Sequence, residues 1–426
     1  MDKKWKFETK AIQCGYEPKN GEPRVLPIYQ STTYKYDTAN EVAKLFDLEA
    51  EGHMYSRISN PTVEALEKKM AELEGGVAGV ATSSGQAASL ISILTICKVG
   101  DHIISSSTVY GGTYSLFSTT LKKMGIEVTF IDPNGSIEEI KQAFKANTKA
   151  LFGETIGNPV LNVLDFEKFS KIAKDMGVPL IVDNTFATPY LCRPFELGAN
   201  IVVHSCTKYT DGHASSVGGM VIDGGNFDWT NGKFKDLVDP DPSYHGVSYV
   251  ERFKKSAYAV KARVQYIRDM GACLTPFNAY LMNLGLETLP LRMERHSENA
   301  LEIAKYLKKH PNVEWVNYPG IKENPTYELA CKYLPKGCSG VLTFGVKGGK
   351  EAGVKFIDSL NLIAMVVHVA DVRSSVLHPA SMTHRQLSEE QLIEAGITSD
   401  LIRLSVGIEN VEDIIQDLDQ ALGGLK

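Results

Sequence analysis

Three short segments carry residue types that could do chemistry, and each follows a run of β-forming residues. Residues 82–86 (Thr-Ser-Ser-Gly-Gln) place a Ser-Gly turn before an apolar helical segment, where free backbone N–H groups and the helix dipole favour a phosphate. Residues 182–184 (Val-Asp-Asn) end an apolar strand with a carboxylate, and residues 204–209 (His-Ser-Cys-Thr-Lys-Tyr) place Lys208 just past another strand. Taken singly, each segment also has an ordinary interpretation: a helix cap with a glycine turn, a turn carboxylate and a surface lysine.

Together the three segments favour one chemistry. A phosphate cradle, a carboxylate and a partly desolvated lysine are the groups that pyridoxal 5′-phosphate requires from a protein. The lysine binds the cofactor aldehyde and later moves protons, and the acid keeps the pyridine nitrogen protonated. Because open α/β sheets bind ligands at the carboxyl ends of their strands, we expect the three segments to converge at one sheet edge.

Composition and missing motifs argue against several other classes. The 426-residue chain has 43% hydrophobic and 23% charged residues and a formal net charge of −6, which excludes a mainly disordered chain and gives no support for a nucleic-acid partner. The longest nearly apolar run, residues 87–97, is shorter than the ~20 residues that cross a membrane. No P-loop, G-x-G-x-x-G, H-E-x-x-H or G-x-S-x-G motif occurs, and the ten histidines do not cluster, so no metal is expected. The seven scattered cysteines and the polar start predict reduced thiols in a cytoplasmic protein.

The elements that must position the three segments alternate between strand and helix. β-forming runs occupy residues 77–81, 102–106, 127–131, 150–154, 180–183, 201–204 and 217–222, and helical patterns at 137–146 and 166–176 lie between them. This alternation predicts an α/β fold with a seven-stranded, mainly parallel sheet covered by helices.

The chain divides into three predicted parts. Residues 1–60 are rich in proline and poor in periodicity, so they predict an irregular, extended arm; residues 61–274 form the α/β domain, and residues 275–426 a smaller α+β domain. The last part contains an amphipathic helix over 292–309, strands at 340–346, 363–369 and 401–406, and a closing helix at 412–422. Residues 223–244, rich in Gly, Asp, Asn and Pro, interrupt the alternation and predict an ordered surface insertion.

Several motifs resemble those of the Cys/Met-metabolism pyridoxal-phosphate enzymes, and the resemblance extends over essentially the whole chain. They lie at residues 55–57, 84–86, 109–111, 154–159, 182–186, 205–209, 378–384 and 402–407. The resemblance implies the aspartate-aminotransferase-like fold (fold type I), with pyridoxal 5′-phosphate as cofactor.

By position, the resemblance implies a cofactor role for each matching residue. Lys208 would bind the aldehyde and shuttle protons, and Tyr110 would stack on the ring and act as an acid toward the leaving group. Asp183 would pair with the pyridine nitrogen, and Asn158 would reach the phenolic oxygen. The implied cofactor contacts are Tyr55, Arg57, Ser84, Gly85, Gln86, Tyr110, Asn158, Asp183, Ser205, Thr207 and Lys208.

The resemblance also implies contacts between subunits and with substrate. Tyr55 and Arg57, on the arm, would reach the phosphate of a neighbouring subunit, in a homotetramer built from two-fold dimers. Arg403 would bind the α-carboxylate of an amino-acid substrate, helped by Asn158 and Ser374.

Within the family, four segments are most similar to the members that replace the acetoxy group of O-acetyl-L-homoserine with sulfide or a thiol. They are residues 223–229, 241–246, 268–273 and 291–296. The implied products are L-homocysteine (or methionine) and acetate, in methionine biosynthesis. Three alternatives stay open: a methionine γ-lyase, another γ-replacement enzyme such as cystathionine γ-synthase, and a non-catalytic cofactor-binding regulator. Gly112 stands where many of those lyases carry a cysteine, and it favours replacement.

The sequence departs from the family pattern near the expected substrate. Ala370 stands where relatives have glycine and Ser375 where they have leucine, so side-chain specificity is less defined than cofactor chemistry. Cys206 replaces a threonine or serine without affecting the expected cofactor site. His378 and His384 are interpreted as residues that tie the C-terminal domain together.

Overall fold

The protein is described from a computed structural model that covers residues 4–382 and 398–425. The larger of its two β-sheets brings the three predicted segments to one edge of the sheet. Its strands are β1 (Ala78–Thr82), β2 (His102–Ser106), β3 (Glu127–Ile131), β4 (Thr148–Glu154), β5 (Leu180–Asp183), β6 (Ile201–Ser205) and β7 (Gly219–Asp223). They lie in the order β1-β7-β6-β5-β4-β2-β3. Strand β7 pairs antiparallel with β1 and β6, and the other pairs are parallel. The prediction of a seven-stranded, mainly parallel sheet is confirmed.

The second sheet lies in the C-terminal part of the chain. Its strands are β8 (Val313–Asn317), β9 (Val341–Val346), β10 (Ala364–Met365), β11 (Ser375–Leu377) and β12 (Leu401–Ser405). They lie in the order β10-β11-β12-β9-β8. The domain boundary at residue 274 stays a prediction.

Helices cover both sheets. In chain order they are α1 (Phe7–Gln13), α2 (Ala39–Phe46), α3 (Pro61–Glu74), α4 (Gly85–Leu94), α5 (Gly111–Ser115), α6 (Ile137–Gln142), α7 (Phe166–Met176), α8 (Thr188–Leu191), α9 (Lys235–Val238), α10 (Tyr249–Phe253), α11 (Ala257–Lys261), α12 (Arg268–Met270), α13 (Pro276–Glu287), α14 (Leu289–Leu307), α15 (Tyr327–Tyr333), α16 (Gly349–Asp358) and α17 (Val411–Gly423). All five residues of β2 are buried, as expected of a strand that helices cover on both faces. None of the helices in the described ranges is long and apolar enough to cross a membrane.

Strand register places the ends of β1, β6, β5 and β4 and the start of β7 at one edge of the sheet. Gly219, at the start of β7, pairs with Thr82 at the end of β1 and with Ser205 at the end of β6. Asp183, at the end of β5, pairs with Glu154 at the end of β4. The turn after β1 that is predicted to bind phosphate, the carboxylate on β5 and the lysine after β6 therefore share the carboxyl edge of the sheet.

The prediction of an irregular N-terminal arm is wrong in two places. Helix α1 packs against α3 and α13 and buries Ala11 completely. Helix α2 begins with a capping box, in which Thr38 and Glu41 each bond the other's backbone N–H. This Thr-x-x-Glu spacing was the available sequence signal, but the abundance of proline in the segment obscured it.

The strand predicted over residues 363–369 is also wrong, because only β10 forms there. The backbone N–H groups of Asn361, Leu362 and Ile363 donate to the carboxylate of Asp417 on α17 instead of to a strand. Beyond β10, Ala370 adopts a φ of 67°, a left-handed conformation that ends any extended run.

The seven cysteines are free thiols with different exposure. Cys331 is exposed, Cys14 and Cys273 are partly buried, and the others are buried: Cys97, Cys192, Cys206 and Cys338. Burial raises the pKa of Cys206 to about 12, so this thiol stays protonated beside the site described below.

We predict that Asn60 fastens the arm to the start of α3. Its carboxamide oxygen caps α3, and its Nδ2 donates to Tyr29 O (2.8 Å), Tyr34 Oη (2.9 Å) and Ser56 Oγ (3.0 Å). Asn60→Ala removes a cap worth about 1 kcal/mol and buried hydrogen bonds worth about 1 kcal/mol each. Limited proteolysis read by mass spectrometry should show cleavage within residues 29–57 at least roughly tenfold faster.

The matched control is Ser136→Ala, which removes the exposed cap of α6 far along the chain from the arm. It should leave cleavage of the arm unchanged. Equal cleavage of the arm in wild type and Asn60→Ala would show that Asn60 does not hold it.

Candidate active site

The N-terminus of α4 lies against the end of β6. A Cβ at Gly85 would lie 2.6 Å from the Cβ of Ser205, so only glycine allows this approach. Ser84 caps the helix by accepting the N–H of Ala87 at 3.1 Å. The first N–H groups of a helix, here those of Gly85 and Gln86, have no partner within the helix, and they can bind a phosphate at this edge.

The loop after β6 is fixed by hydrogen bonds to its neighbours. Ser205 N–H donates to Thr185 Oγ1 at 2.8 Å. The hydroxyl of Thr207 donates to Gly218 O (3.2 Å) and accepts Gly218 N–H (3.1 Å). Ser205 and Thr207 thus lie beside the α4 N-terminus, where the sequence predicts the phosphate.

Two carboxyl groups, those of the buried Glu154 and the half-buried Asp183, end neighbouring strands. Burial raises the pKa of both, and the charge of Asp183 raises that of Glu154 further. Asp183 accepts the N–H of Thr185 at 2.9 Å, and no cation among the described residues forms an ion pair with it. A carboxyl group of this kind fits a protonated ring nitrogen. Glu154 accepts the backbone N–H of Tyr110 at 2.7 Å and so positions the tyrosine that is predicted to stack on the cofactor ring. Sequence reasoning missed Glu154.

A buried polar network supports the end of β5. His204 Nε2 lies 2.6 Å from Glu74 Oε1, and the same oxygen accepts Asn184 Nδ2 at 2.8 Å. Thr155 Oγ1 donates to Asn184 Oδ1 at 2.7 Å. Because consecutive strand residues point to opposite sides, this network holds Asn184 on the side away from Asp183.

Lys208 lies beside a histidine that sequence reasoning missed. Its Nζ is 3.3 Å from Nδ1 of His368, whose Nε2 is buried without a hydrogen-bond partner. Burial, and next the charge of Arg403, lower the pKa of Lys208 to about 8. His368 lies in the segment where a strand was expected, 160 residues from Lys208, so no local pattern could reveal the contact.

Arg403, on β12, brings the second sheet to the same site. Its Nη1 is 3.4 Å from Asn158 Oδ1, while its Nε is buried without a partner. Burial lowers the pKa of this guanidinium to about 10. An arginine whose buried N–H groups lack an acceptor fits the α-carboxylate of a bound amino acid.

Tyr110 and Gln86 line the open side of the site. A Cβ at Gly112 would lie 2.5 Å from both Gln86 Nε2 and Tyr110 Cε1, so these two side chains meet over the glycine. The ring of Tyr110 is half-exposed, with 48% of the residue accessible, which leaves a face free to stack on a ligand ring.

The remaining predicted residues are engaged elsewhere within the single chain. The guanidinium of Arg57 lies 5.4 Å from the centre of the Tyr55 ring and donates to Arg268 O; neither residue forms a hydrogen bond with the cradle. Ser374 Oγ donates to Glu409 Oε2 at 3.0 Å. These three roles stay predictions.

The histidines of residues 378–384 have different outcomes. His378 Nδ1 lies 2.8 Å from Ser381 Oγ, and its Nε2 lies 2.9 Å from Ser399 O, so it joins two segments of the C-terminal part. His384 lies outside the described residues.

The site fits pyridoxal 5′-phosphate. A helix N-terminus, a carboxyl without a cation and a lysine with a pKa lowered to about 8 match its phosphate, its ring nitrogen and its aldehyde. No group of three or more potential metal ligands occurs in the described ranges.

Comparisons with known proteins agree with this site. The family model for Cys/Met metabolism PLP-dependent enzymes matches residues 8–423. An O-acetyl-L-homoserine sulfhydrylase from Leptospira meyeri is 48% identical, with 99% of this chain and 98% of that protein covered. A homocysteine synthase from Schizosaccharomyces pombe is 46% identical, with 98% of each covered. A solved structure from Campylobacter jejuni, which carries N′-pyridoxyl-lysine-5′-monophosphate, has a TM-score of 0.95 at 38% identity, with 99% of this chain and 100% of that chain covered.

We predict that apoenzyme binds the cofactor covalently with a pH dependence set by Lys208. A neutral amine is needed for attack on the aldehyde, and the pKa of about 8 places half of the maximal rate near pH 8. Arg403→Gln removes a charge that lowers this pKa, so its profile should move to higher pH. The measurement is the initial rate of borohydride-trapped cofactor incorporation between pH 6 and pH 10.

Arg373→Gln is the matched control, because Arg373 is exposed and paired with Asp371 and does not perturb the pKa of Lys208. Its profile should superimpose on that of wild type. A wild-type rate still rising steeply at pH 10 would mean that Lys208 titrates as an ordinary lysine.

Proposed function

We propose that this chain, which belongs to the Cys/Met metabolism PLP-dependent enzymes, replaces the acetoxy group of O-acetyl-L-homoserine with sulfide. The products are L-homocysteine and acetate. The similarity to a named O-acetyl-L-homoserine sulfhydrylase over 99% of this chain carries the proposal, and the site geometry supports it.

The side chains of the candidate site divide the work of this reaction. Arg403 and Asn158 hold the α-carboxylate, and Asp183 and the α4 N-terminus hold the cofactor. When bound, pyridoxal 5′-phosphate supplies the electron sink that makes removal of the substrate α- and β-protons feasible. Lys208 moves these protons, since a pKa of about 8 suits a group that must both accept and donate near neutral pH. Tyr110 donates a proton toward the departing acetate.

Gly112 favours replacement over elimination. A side chain there would collide with Gln86 Nε2 and Tyr110 Cε1, each 2.5 Å from the Cβ position. A cysteine at this position, as many methionine γ-lyases carry, would therefore require Gln86 and Tyr110 to move. In this chain the glycine leaves both side chains in place.

Arg373 supports a preference for the acetyl ester. A succinyl group would require an extra cation for its distal carboxylate, and Arg373 is the spare arginine of the substrate segment. Its guanidinium already bonds both carboxylate oxygens of Asp371 and donates to His213 O at 2.6 Å. A succinyl ester would have to compete with these contacts.

The test compares four reactions of the holoenzyme at saturating amino acid. O-Acetylhomoserine with sulfide should give mainly homocysteine, with 2-oxobutyrate minor. O-Succinylhomoserine and O-acetylserine with sulfide should react at least roughly tenfold more slowly in kcat/KM, since a misplaced or unpaired contact costs about 1.4 kcal/mol or more. Methionine alone should release 2-oxobutyrate much more slowly than sulfhydrylation proceeds.

Methionine elimination that equals sulfhydrylation at saturating sulfide would replace the proposal with the lyase. A regulator without activity would turn over none of the four substrates. Lys208→Ala serves as the inactive control, because it removes both covalent cofactor binding and the proton shuttle and should lose more than the ~10²–10⁴-fold of acid–base catalysis alone.

We further propose a cytoplasmic homotetramer built from two-fold dimers, without membrane or nucleic-acid partners. Its chain comprises an arm (residues 1–60) that crosses to the neighbouring subunit, a cofactor domain (61–274) and a C-terminal domain (275–426). Within its own chain Arg57 donates only to a backbone carbonyl among the described residues, so its charge is available to a phosphate on a partner.

Hybrid dimers test the crossing arm. Arg57→Ala and Lys208→Ala homodimers should each have little activity, because every site lacks one residue. After subunit exchange, a hybrid dimer contains one intact site, so up to about a quarter of wild-type activity should return. Mass spectrometry of tagged subunits verifies the exchange. Exchange without recovered activity would place Tyr55 and Arg57 in their own subunit's site.

A further inference from the structure

A second concave site lies at the end of the larger sheet opposite to the candidate active site. It forms where β2 and β4 begin, under the insertion that interrupts the strand–helix alternation. The cavity has a volume of about 280 Å³. Its walls are Thr95, Ile96, Lys98, Asp101, Ala146, Lys149, residues 232–237 and Lys261.

The walls of this cavity carry an excess of positive charge. Five lysines (Lys98, Lys149, Lys233, Lys235 and Lys261) face two aspartates (Asp101 and Asp236), which leaves three positive charges uncompensated. The protein as a whole has a formal net charge of −6, so this concentration of lysine runs against the overall charge.

Three of the five lysines in the walls have a partner for the ammonium group among the described residues, whereas the exposed Lys235 and the buried Lys261 have none. Lys98 forms an ion pair with Asp236 at 3.1 Å, Lys149 lies 3.8 Å from Asp101, and Lys233 Nζ donates to Met176 O at 2.8 Å. Lys261, the last residue of α11, is 4% exposed and forms neither a hydrogen bond nor an ion pair within the described residues. Burial lowers its pKa, and the charges of Asp236 and Asp241 act in the opposite direction.

A lysine whose stem is buried and whose ammonium group has no hydrogen bond or ion pair gains from an anionic ligand. The cavity is slightly smaller than typical ligand sites, which begin at about 300 Å³. Its apolar surface comes from Ile96, Leu237 and the ring of Phe234, over which Lys149 lies at 5.6 Å. We propose that this cavity binds a small molecule with two or more negative charges, either a phosphate ester or a polycarboxylate, through Lys261 and its neighbouring lysines.

The proposed site is separate from the catalytic edge but connected to it by one helix. The N-terminus of α4 lies at the phosphate cradle, and Thr95 and Ile96, just beyond its last residue, line the cavity. Ten residues of helix span about 15 Å. A ligand here therefore leaves the substrate site free.

The test measures binding of inorganic pyrophosphate and of citrate to the holoenzyme by isothermal titration calorimetry at constant ionic strength. The bound cofactor already fills the phosphate cradle, and the Lys261 variant distinguishes binding in the cavity from binding at Arg403. Lys261→Met keeps the apolar stem and removes the charge, and it should weaken binding about tenfold or more. Lys255→Met, an exposed lysine outside the cavity, should stay within about twofold of wild type.

The two probes distinguish the two sources of charge. Binding of pyrophosphate alone identifies a phosphate ester, and binding of citrate alone a polycarboxylate. Absence of saturable binding by either probe, or equal affinity in wild type and Lys261→Met, would overturn the proposal. Catalytic activity with O-acetylhomoserine and sulfide is measured separately, so a failure of the proposed reaction is recognised independently.

A second measurement needs no variant. An amine-acetylating reagent should modify Lys261 in the holoenzyme, and peptide mass spectrometry should show that pyrophosphate or citrate slows this modification severalfold while leaving Lys255 unaffected. Equal modification of Lys261 with and without both anions would also contradict the site.

Discussion

The removal of water from ionisable groups at the carboxyl edge of the larger sheet is the constraint on which the site depends. Burial is the largest cause of the pKa shifts of Asp183, Glu154, Lys208 and Arg403, and each shift favours the neutral form. In the protein alone these groups are incompletely paired. A bound molecule that has an anionic end, a cationic ring and a carboxylate would complete them, so affinity and chemistry arise from the same desolvation.

The scaffold holds these groups in place through register and close approach. Pairing between Glu154 and Asp183 fixes the two carboxyl groups on adjacent strands. The contact of Gly85 with Ser205 brings the N-terminus of α4 to the end of β6. Behind Asp183, the buried Glu74–His204 pair and Asn184 link α3 to β5 and β6. A rigid support of this kind limits the rearrangement that charged intermediates would otherwise require.

Sequence reasoning predicted the strands of the larger sheet well, because each one is a short apolar run bounded by turn residues. It placed the residues from Ser84 to Lys208 at one edge for the same reason. It failed where structure depends on distant partners: the Asp417 carboxylate replaces strand pairing near Ile363, and His368 meets Lys208 across the chain. Glu154 was missed because its hydrogen-bond donor, the backbone N–H of Tyr110, is distant in the sequence. No local pattern around a glutamate at the end of a strand indicates such a partner.

The distribution of the thiols has a practical consequence for handling the protein. Cys97, Cys192, Cys206 and Cys338 are buried, and Cys331 on α15 is exposed. A thiol-selective maleimide dye would attach first at Cys331, in the C-terminal part and remote in sequence from Lys208. The natural chain thus already contains a conjugation handle for fluorescence or surface immobilisation, without the need to engineer a new cysteine.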